Sequence, residues 1–338
     1  MVDTQRAHTV KSVAGALLFI VLLSGCASPY HWQSDRRITS LPPLVELTDV
    51  SFFPQERFQC GPAALATVLS HSGVKVSPAT LQQQLYLPKR QGSLQAEMVA
   101  TARHYDMLVV TLTPYFATLL QELAVGHPVV VLQNLGLSWL PRWHYAVVVG
   151  YDLAREELVL RSGTEQRRVT PFALFMRTWQ RAQQWAMVAL PAGQLPATGT
   201  RSDYLTATVA LEETGHFAAA KLSYKAMAER WPEESLLLMG LGNTAYAMAD
   251  YEEAQNVFSK ALALDPHQAA AWNNLGYALA QRGCQPAALS AVRCAVALEP
   301  GEHYQESLQE IGQMTAKNGL LCATPRCPID IHSTLHSK

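Results

Sequence analysis

The sequence predicts an α+β domain, helices first and a mainly antiparallel sheet after them, followed by an all-α superhelix of repeated helix pairs. Three observations carry this. Between residues 48 and 192, capped helical stretches come first and short Val-rich runs such as "MLVVTL", "PVVVLQ" and "HYAVVVGYD" come later, the order of a segregated α+β layout. After residue 200 the texture is helical and periodic: Pro232, Pro266 and Pro300 stand 34 residues apart, as do Ala220, Ala254 and Ala288. Between them "LPAGQLPATGTRSD" at 190–203 is rich in Pro, Gly and Thr and marks a seam. A chain of 338 residues, 49% hydrophobic and 16% charged, is long enough for two cores.

Taken in order, residues 1–25 carry Arg6 and Lys11 and then an apolar run from Val13 to Leu23, which reads as a secretory signal peptide. The run is too short for a helix crossing ~30 Å of hydrocarbon. Leu23-Ser24-Gly25-Cys26 resembles a bacterial lipobox, so Cys26 is expected to be acylated and to become the mature N-terminus. The plainer alternative is an ordinary signal peptide with an incidental cysteine. Residues 26–47 hold three prolines and no periodicity and are expected to be a tether. The body would then be lipid-anchored in the bacterial envelope and periplasm-facing. Ala27 and Ser28, where Asp would signal retention, favour the outer membrane.

In the domain over 48–192, a helix is expected from Cys60–Pro62 to about Ser72, with further helices opened by Ser77-Pro78 and by Ser93. Then come a strand at 107–112, a helix after Thr113-Pro114, and strands at 128–133, 144–152 and 157–163. A helix from "TPFALFMRTW" and a strand at 185–190 close the domain, and 193–200 is the linker. Repeats follow over 201–234, 235–268 and 269–302, and the 34-residue period is that of the tetratricopeptide repeat. Gly242, Ala254, Phe258 and Pro266 in the second repeat are matched by Gly276, Ala288, Val292 and Pro300 in the third; their small residues let helices approach. Residues 303–338 read as a capping helix, over 303–318, and a Cys-containing tail. The concave groove, on the first helix of each pair, is expected to take a peptide or protein partner through residues such as Asn243, Tyr246, Asn273, Asn274 and Tyr277.

Composition narrows the partners. Lys+Arg 26 against Asp+Glu 27 leaves a net charge of −1, which argues against nucleic acid. No cofactor is expected, and no His/Cys/Asp pair has metal-ligand spacing. Of the six cysteines, Cys284 and Cys294 are ten apart in a helical stretch, too far to join each other. Cys322 and Cys327 could close a short loop or pair back to the helices.

The stretch "FFPQERFQCGPAAL" at 52–65 sets Cys60 at a helix start, where the dipole and unpaired N–H groups favour a thiolate. Free cysteines are also often buried and inert. Pro62 fits the first turn without losing a hydrogen bond, and Gly61 would let backbone approach a substrate. Gln55 could donate to an oxyanion beside the Cys60 amide; Gln59, adjacent to the thiol, would tend to point away. A nucleophile needs a base, and His144, 84 residues on, heads the strand "HYAVVVGYD". His71, His104 and His127 lack that rigid setting.

Together, "Q-x4-CGPAALATVL" and "WHYAVVVGYD" resemble the papain-like cysteine peptidases of the bacteriocin-processing, double-glycine-leader type, over residues 50 to about 190. The resemblance implies a papain-like fold, Cys60 as nucleophile, His144 as general base and acid, and Gln55 as oxyanion donor. It also implies an Asp on the strand after the histidine strand, and here that stretch reads "LRSGTE". Asp152 lies too far along the strand. Pairing 150 with 157 across the turn sets His144 opposite about Gly163, leaving Ser162, Thr164 or Glu165 as local orienters and Asn134 as another. Two functions follow: a lipid-anchored cysteine peptidase acting on a peptide or protein, or a weak or inactive peptidase-like scaffold that assembles an envelope complex.

Overall fold

The computed structural model describes residues 32–55, 59–87, 92–314 and 322–329. The signal peptide and the lipid site at Cys26 lie outside the described residues. Among those described, no helix is long and apolar enough to cross a membrane.

A 3-10 turn at Trp32–Ser34 leads into helix α1 (Arg36–Thr39), capped by Asp35, and strand β1 (Leu44–Glu46). This overturns the tether over 26–47 for its described part. Ile38 is completely buried, Trp32 packs edge-on to Phe172, and β1 pairs with β4. The prolines there shape a short structured arm, because the apolar residues between them have a core to enter.

Then follow α2 (Cys60–His71), α3 (Pro78–Leu85), α4 (Gln95–His104), β2 (Met107–Thr111), α5 (Phe116–Ala124), β3 (Val129–Asn134) and β4 (Trp143–Asp152). The domain closes with β5 (Glu157–Ser162), β6 (Glu165–Pro171), α6 (Phe172–Gln180) and β7 (Ala186–Pro191). Ser77 caps α3 by accepting from the Thr80 amide. Ser93 does not cap α4, which starts two residues later from Leu94 without a side-chain cap. Strand β6, "EQRRVTP", is absent from the sequence-based element order because its outward residues are charged and show no apolar alternation.

The strands form one antiparallel sheet in the order β2-β7-β3-β4-β5-β6, with β1 beside the far end of β4. Leu65, Leu69, Leu81, Leu85 and Met98 of α2 to α4 cover one face, against Val130, Val147 and Val149. Ile38, Phe116, Leu120, Phe175 and Trp179 of α1, α5 and α6 cover the other, against Val131, Ala146 and Val148. The β4–β5 register pairs Asp152 with Glu157 and Gly150 with Val159, then shifts through a bulge between Val148 and Gly150 to pair Val147 with Arg161. The expected 150-to-157 pairing is therefore corrected: the turn is four residues, Leu153–Glu156, with Glu156 at φ +56°, and the bulge absorbs one residue.

Three helix pairs follow: α7 (Arg201–Glu213) with α8 (Phe217–Arg230), α9 (Ser235–Ala247) with α10 (Tyr251–Leu264), and α11 (Ala269–Gln281) with α12 (Gln285–Leu298); α13 (Glu302–Gln313) caps them. A Cβ on Gly242 would stand 2.4 Å from the Phe258 ring and one on Gly276 2.3 Å from Val292, so glycine is what lets each pair close. Cys322 and Cys327 do not join each other; they pin the tail to the last repeat as Cys284–Cys322 and Cys294–Cys327.

Candidate active site around Cys60

Cys60 is the first residue of α2, partly exposed, and the one free cysteine among the described residues. Gln59 precedes it at the cap and turns away, donating through Nε2 to Gln82 Oε1 at 3.2 Å. Gly61 has a different role from the one its sequence suggests. A Cβ there would meet Ser93 Oγ at 2.6 Å and Ser93 Cβ at 2.8 Å, so its missing side chain admits the segment leading into α4 rather than a substrate.

The β4–β5 ladder pairs residues up to Val147 and Arg161, leaving the β5 side of the start of β4 open. Residues 55 and 60 fill that opening. Gln55 is anchored by its amide to the Gly163 carbonyl at 2.9 Å, and its Nε2 donates to the Tyr145 carbonyl in a long 3.4 Å bond. The Tyr145 amide points at the Cys60 sulfur, as do the amides of Gly61 and of Cys60 itself. The thiol therefore rests on the peptide that His144 forms with Tyr145.

His144 shares its face of the sheet with Ala146 and Val148, and Ser162 shares that face with Leu158 and Leu160, by the two-residue period of strands. The parity brings them together: His144 Nε2 and Ser162 Oγ are 2.8 Å apart, and Ser162 is buried. Of the residues left open by the sequence, Ser162 is the one with a hydrogen-bond contact to the His144 ring. Asn134 is elsewhere engaged, its Oδ1 accepting from the Gly136 and Arg142 amides at 2.9 Å each and its Nδ2 donating to the Leu137 carbonyl, so it organises the β3–β4 loop. Glu165 is exposed and pairs with Arg168.

The electrostatics favour the neutral form of both Cys60 and His144. Burial pushes the Cys60 thiol above its ordinary value, and the three amides pull it back only in part. Burial also pushes His144 down to about 4, helped by the positive charges of Arg168 and Arg142. Neither arginine is singled out by the sequence, because nothing in it marks a charge that will lie near His144. The site thus holds a thiol against the His144–Tyr145 peptide and a neutral imidazole against the Ser162 hydroxyl, where a carboxylate would stabilise imidazolium. Among the described residues no group of three or more His, Cys, Asp or Glu could hold a metal ion.

A second candidate surface lies in the repeats. Glu212, Asn243, Tyr246, Phe258, Asn274 and Tyr277 line a cavity of about 390 Å³. Asn274 Nδ2 donates to Asn243 Oδ1 at 2.9 Å, Asn273 donates to Asn274, and Tyr277 donates to Glu310. All five groove residues named from the sequence therefore fall in or beside this cavity.

Comparison with known proteins agrees with these two parts. Residues 47–187 match the model of the Peptidase_C39 like family, and residues 239–303 match a tetratricopeptide repeat model. Similar solved structures include a C39-like peptidase from Bacillus anthracis, at 18% identity and a TM-score of 0.38, covering 44% of this chain and 98% of that one. The peptidase domain of Streptococcus ComA, a bifunctional ABC transporter of a quorum-sensing pathway, matches at 23% identity and a TM-score of 0.35, covering 42% and 98%. The second repeat domain of human RPAP3, solved with an HSP70 peptide, matches at 21% identity and a TM-score of 0.32, covering 32% and 92%. No curated protein matches the chain.

Proposed function

From a chain whose residues 47–187 belong to the C39-like peptidase family and whose C-terminal part is a tetratricopeptide array, we propose a lipid-anchored thiol peptidase that acts outside the cytoplasm on a recruited peptide or protein. The observation that carries the reading is the convergence of Cys60, Gln55 and the His144–Ser162 pair on the open end of β4. In this reading Nε2–H is donated to Ser162, which leaves Nδ1 as the unprotonated nitrogen. It takes the thiol proton as Sγ attacks the scissile carbonyl carbon. The resulting oxyanion is met by Gln55 Nε2 and the Cys60 amide. Collapse expels the amine, which leaves with the proton from His144, and water, deprotonated by the same imidazole, hydrolyses the thioester.

Two disulfides between the last repeat and the tail support an oxidising compartment, and the lipobox-like Leu23-Ser24-Gly25-Cys26 supports a lipid anchor at Cys26. The groove lined by Asn243, Tyr246, Asn274 and Tyr277 supports recruitment of an extended segment. One observation favours the second reading, a peptidase-like scaffold of little activity: a serine stands behind His144, and burial disfavours the ion pair.

Labelling the protein lacking residues 1–26 with an electrophilic thiol probe across pH separates the readings. A peptidase gives Cys60 labelling that His144→Ala slows at least tenfold. Labelling no faster than an ordinary buried thiol, and indifferent to His144→Ala, leaves the scaffold.

A further inference from the structure

Among the described residues, the loop between β3 and β4 carries the most concentrated exposed apolar surface of the N-terminal domain. Leu137 is 51% exposed, Trp139 78%, Leu140 63% and Trp143 55%, with Leu135 beside them. A soluble surface rarely gathers so many large apolar side chains without a use for them. In "NLGLSWLPRW", residues 134–143, Arg142 is the only charge.

This loop is built rather than loose. Leu135 donates to the Arg142 carbonyl, and Leu137 and Leu140 exchange backbone hydrogen bonds at 3.1 Å. Asn134 ties Gly136, Leu137 and Arg142 together from inside. Gly136 is forced by this closeness, since a Cβ there would lie 2.4 Å from the Leu140 carbonyl oxygen. The apolar side chains are thus presented in a fixed arrangement, which costs little further ordering when something binds. The loop also runs directly into β4, so Trp143 is the residue before His144.

We infer that the loop over residues 135–143 is a substrate-docking lip, which seats an apolar stretch of the polypeptide whose scissile bond lies at Cys60. Continuity with His144 argues for substrate over other occupants. Whatever rests on Trp139, Leu140 and Trp143 is delivered to the open end of β4, where Gln55 and the thiol wait. A bilayer needs no fixed loop shape and is usually met by several Lys or Arg around the apolar tip, and this loop has one. The inference rests on the peptidase reading for its meaning, but its binding step does not need the chemistry.

The test therefore uses the full chain carrying Cys60→Ala. Binding is followed by fluorescence anisotropy with labelled ten-residue peptides, one Leu/Val-rich and one Ser/Gly-rich. A photo-crosslinking benzophenone in the apolar peptide maps the contact. The expected result is at least tenfold tighter binding of the apolar peptide, crosslinks within residues 135–143, and loss of most of that preference in Trp139→Ala/Leu140→Ala, whose side chains are exposed and carry little of the fold. Equal binding of the two peptides, crosslinks elsewhere, or an unchanged preference in the double variant overturns the inference. So does capture of neutral phosphatidylcholine vesicles in place of the peptides, which would make the loop a membrane contact. Failed thiol labelling with intact apolar-peptide binding would remove the peptidase reading and leave the docking lip standing.

Discussion

At the scale of single residues, the unusual feature is that Cys60 and His144, the proposed nucleophile and base, are each held in the neutral form. Burial does this to both, and Arg142 and Arg168 add to it at His144. A carboxylate in place of the Ser162 hydroxyl would favour imidazolium, and on the proposed mechanism, in which His144 addresses the sulfur, imidazolium would favour thiolate. Ser162→Asp is therefore expected to shift the pH profile of Cys60 labelling down by at least one unit, about tenfold in rate at neutral pH. An unshifted profile would mean that residue 162 does not address the imidazole. The same burial sets a stability slope. Unfolded His144 takes a proton near pH 6.5 and folded His144 only near 4, so between these values the unfolded state holds more protons and stability falls as pH falls. The loss approaches ~3 kcal/mol for this residue at pH 4 and below. Urea midpoints at pH 7 and 4.5 check it: His144→Gln should flatten the acid slope, and an identical slope in the variant would contradict the assignment.

At the scale of elements, the site depends on how α2 sits against α4. Gly61 faces Ser93 with no room for a methyl group, so Gly61→Ala should cost about 1–3 kcal/mol by overpacking and tilt the Cys60 end of α2. Because the conflict involves Ser93 Cβ as well as its hydroxyl, Ser93→Gly should restore part of the loss and Ser93→Ala much less; thermal melts of the two double variants decide. The elements that sequence reasoning reached are those with local signals: Pro78 at the first turn of α3, the Val-rich β3 and β4, and the glycine and alanine columns of α9 to α12. Those it missed lack such signals. Strand β6 holds Arg167 and Arg168 on an exposed sheet edge, and Arg167 is fixed by Glu46 of β1, a partner 121 positions away. Cys60, His144 and Gln55 could be proposed together from the sequence because their residue types are rare in that pattern, and the structure brings Cys60 and Gln55 to the peptide groups of Tyr145, next to His144. Ser162 stayed one of several because the bulge between Val148 and Gly150, which sets the register behind His144, leaves no mark in composition.

At the scale of the whole molecule, the C39-like domain and the repeats share one core. The cluster on the α5–α6 side of the sheet runs from Leu108 and Val110 of β2 through Tyr204 and Leu211 of α7 and Tyr224 of α8 to Leu241 of α9. The seam at 193–200 is gripped as well. Glu122 of α5 is completely buried; it accepts from the Ala197 amide at 3.1 Å, the Thr198 amide at 2.7 Å and the Thr198 hydroxyl, and it meets His127 Nδ1 at 2.8 Å. Asp106 and His216 add a link across the same boundary. On the proposed function, a groove and a thiol fixed on one body would address one chain in a set geometry, which a free linker would not give. The far end of the array is held differently. Its two disulfides close spans of 38 and 33 residues, each contributing roughly 3–4 kcal/mol in the chain-entropy model. Calorimetry should therefore resolve two dependences. Glu122→Ala strands buried amides, costs about 2–5 kcal/mol, and should split a single transition into two as the first repeat detaches from β2. Reduction should instead lower the transition that includes α11 to α13 and leave Cys60 labelling at low temperature unchanged, because neither bridge touches the peptidase core. If Glu122→Ala melts as one unit at the parent temperature, the buried carboxylate is not what couples the two halves.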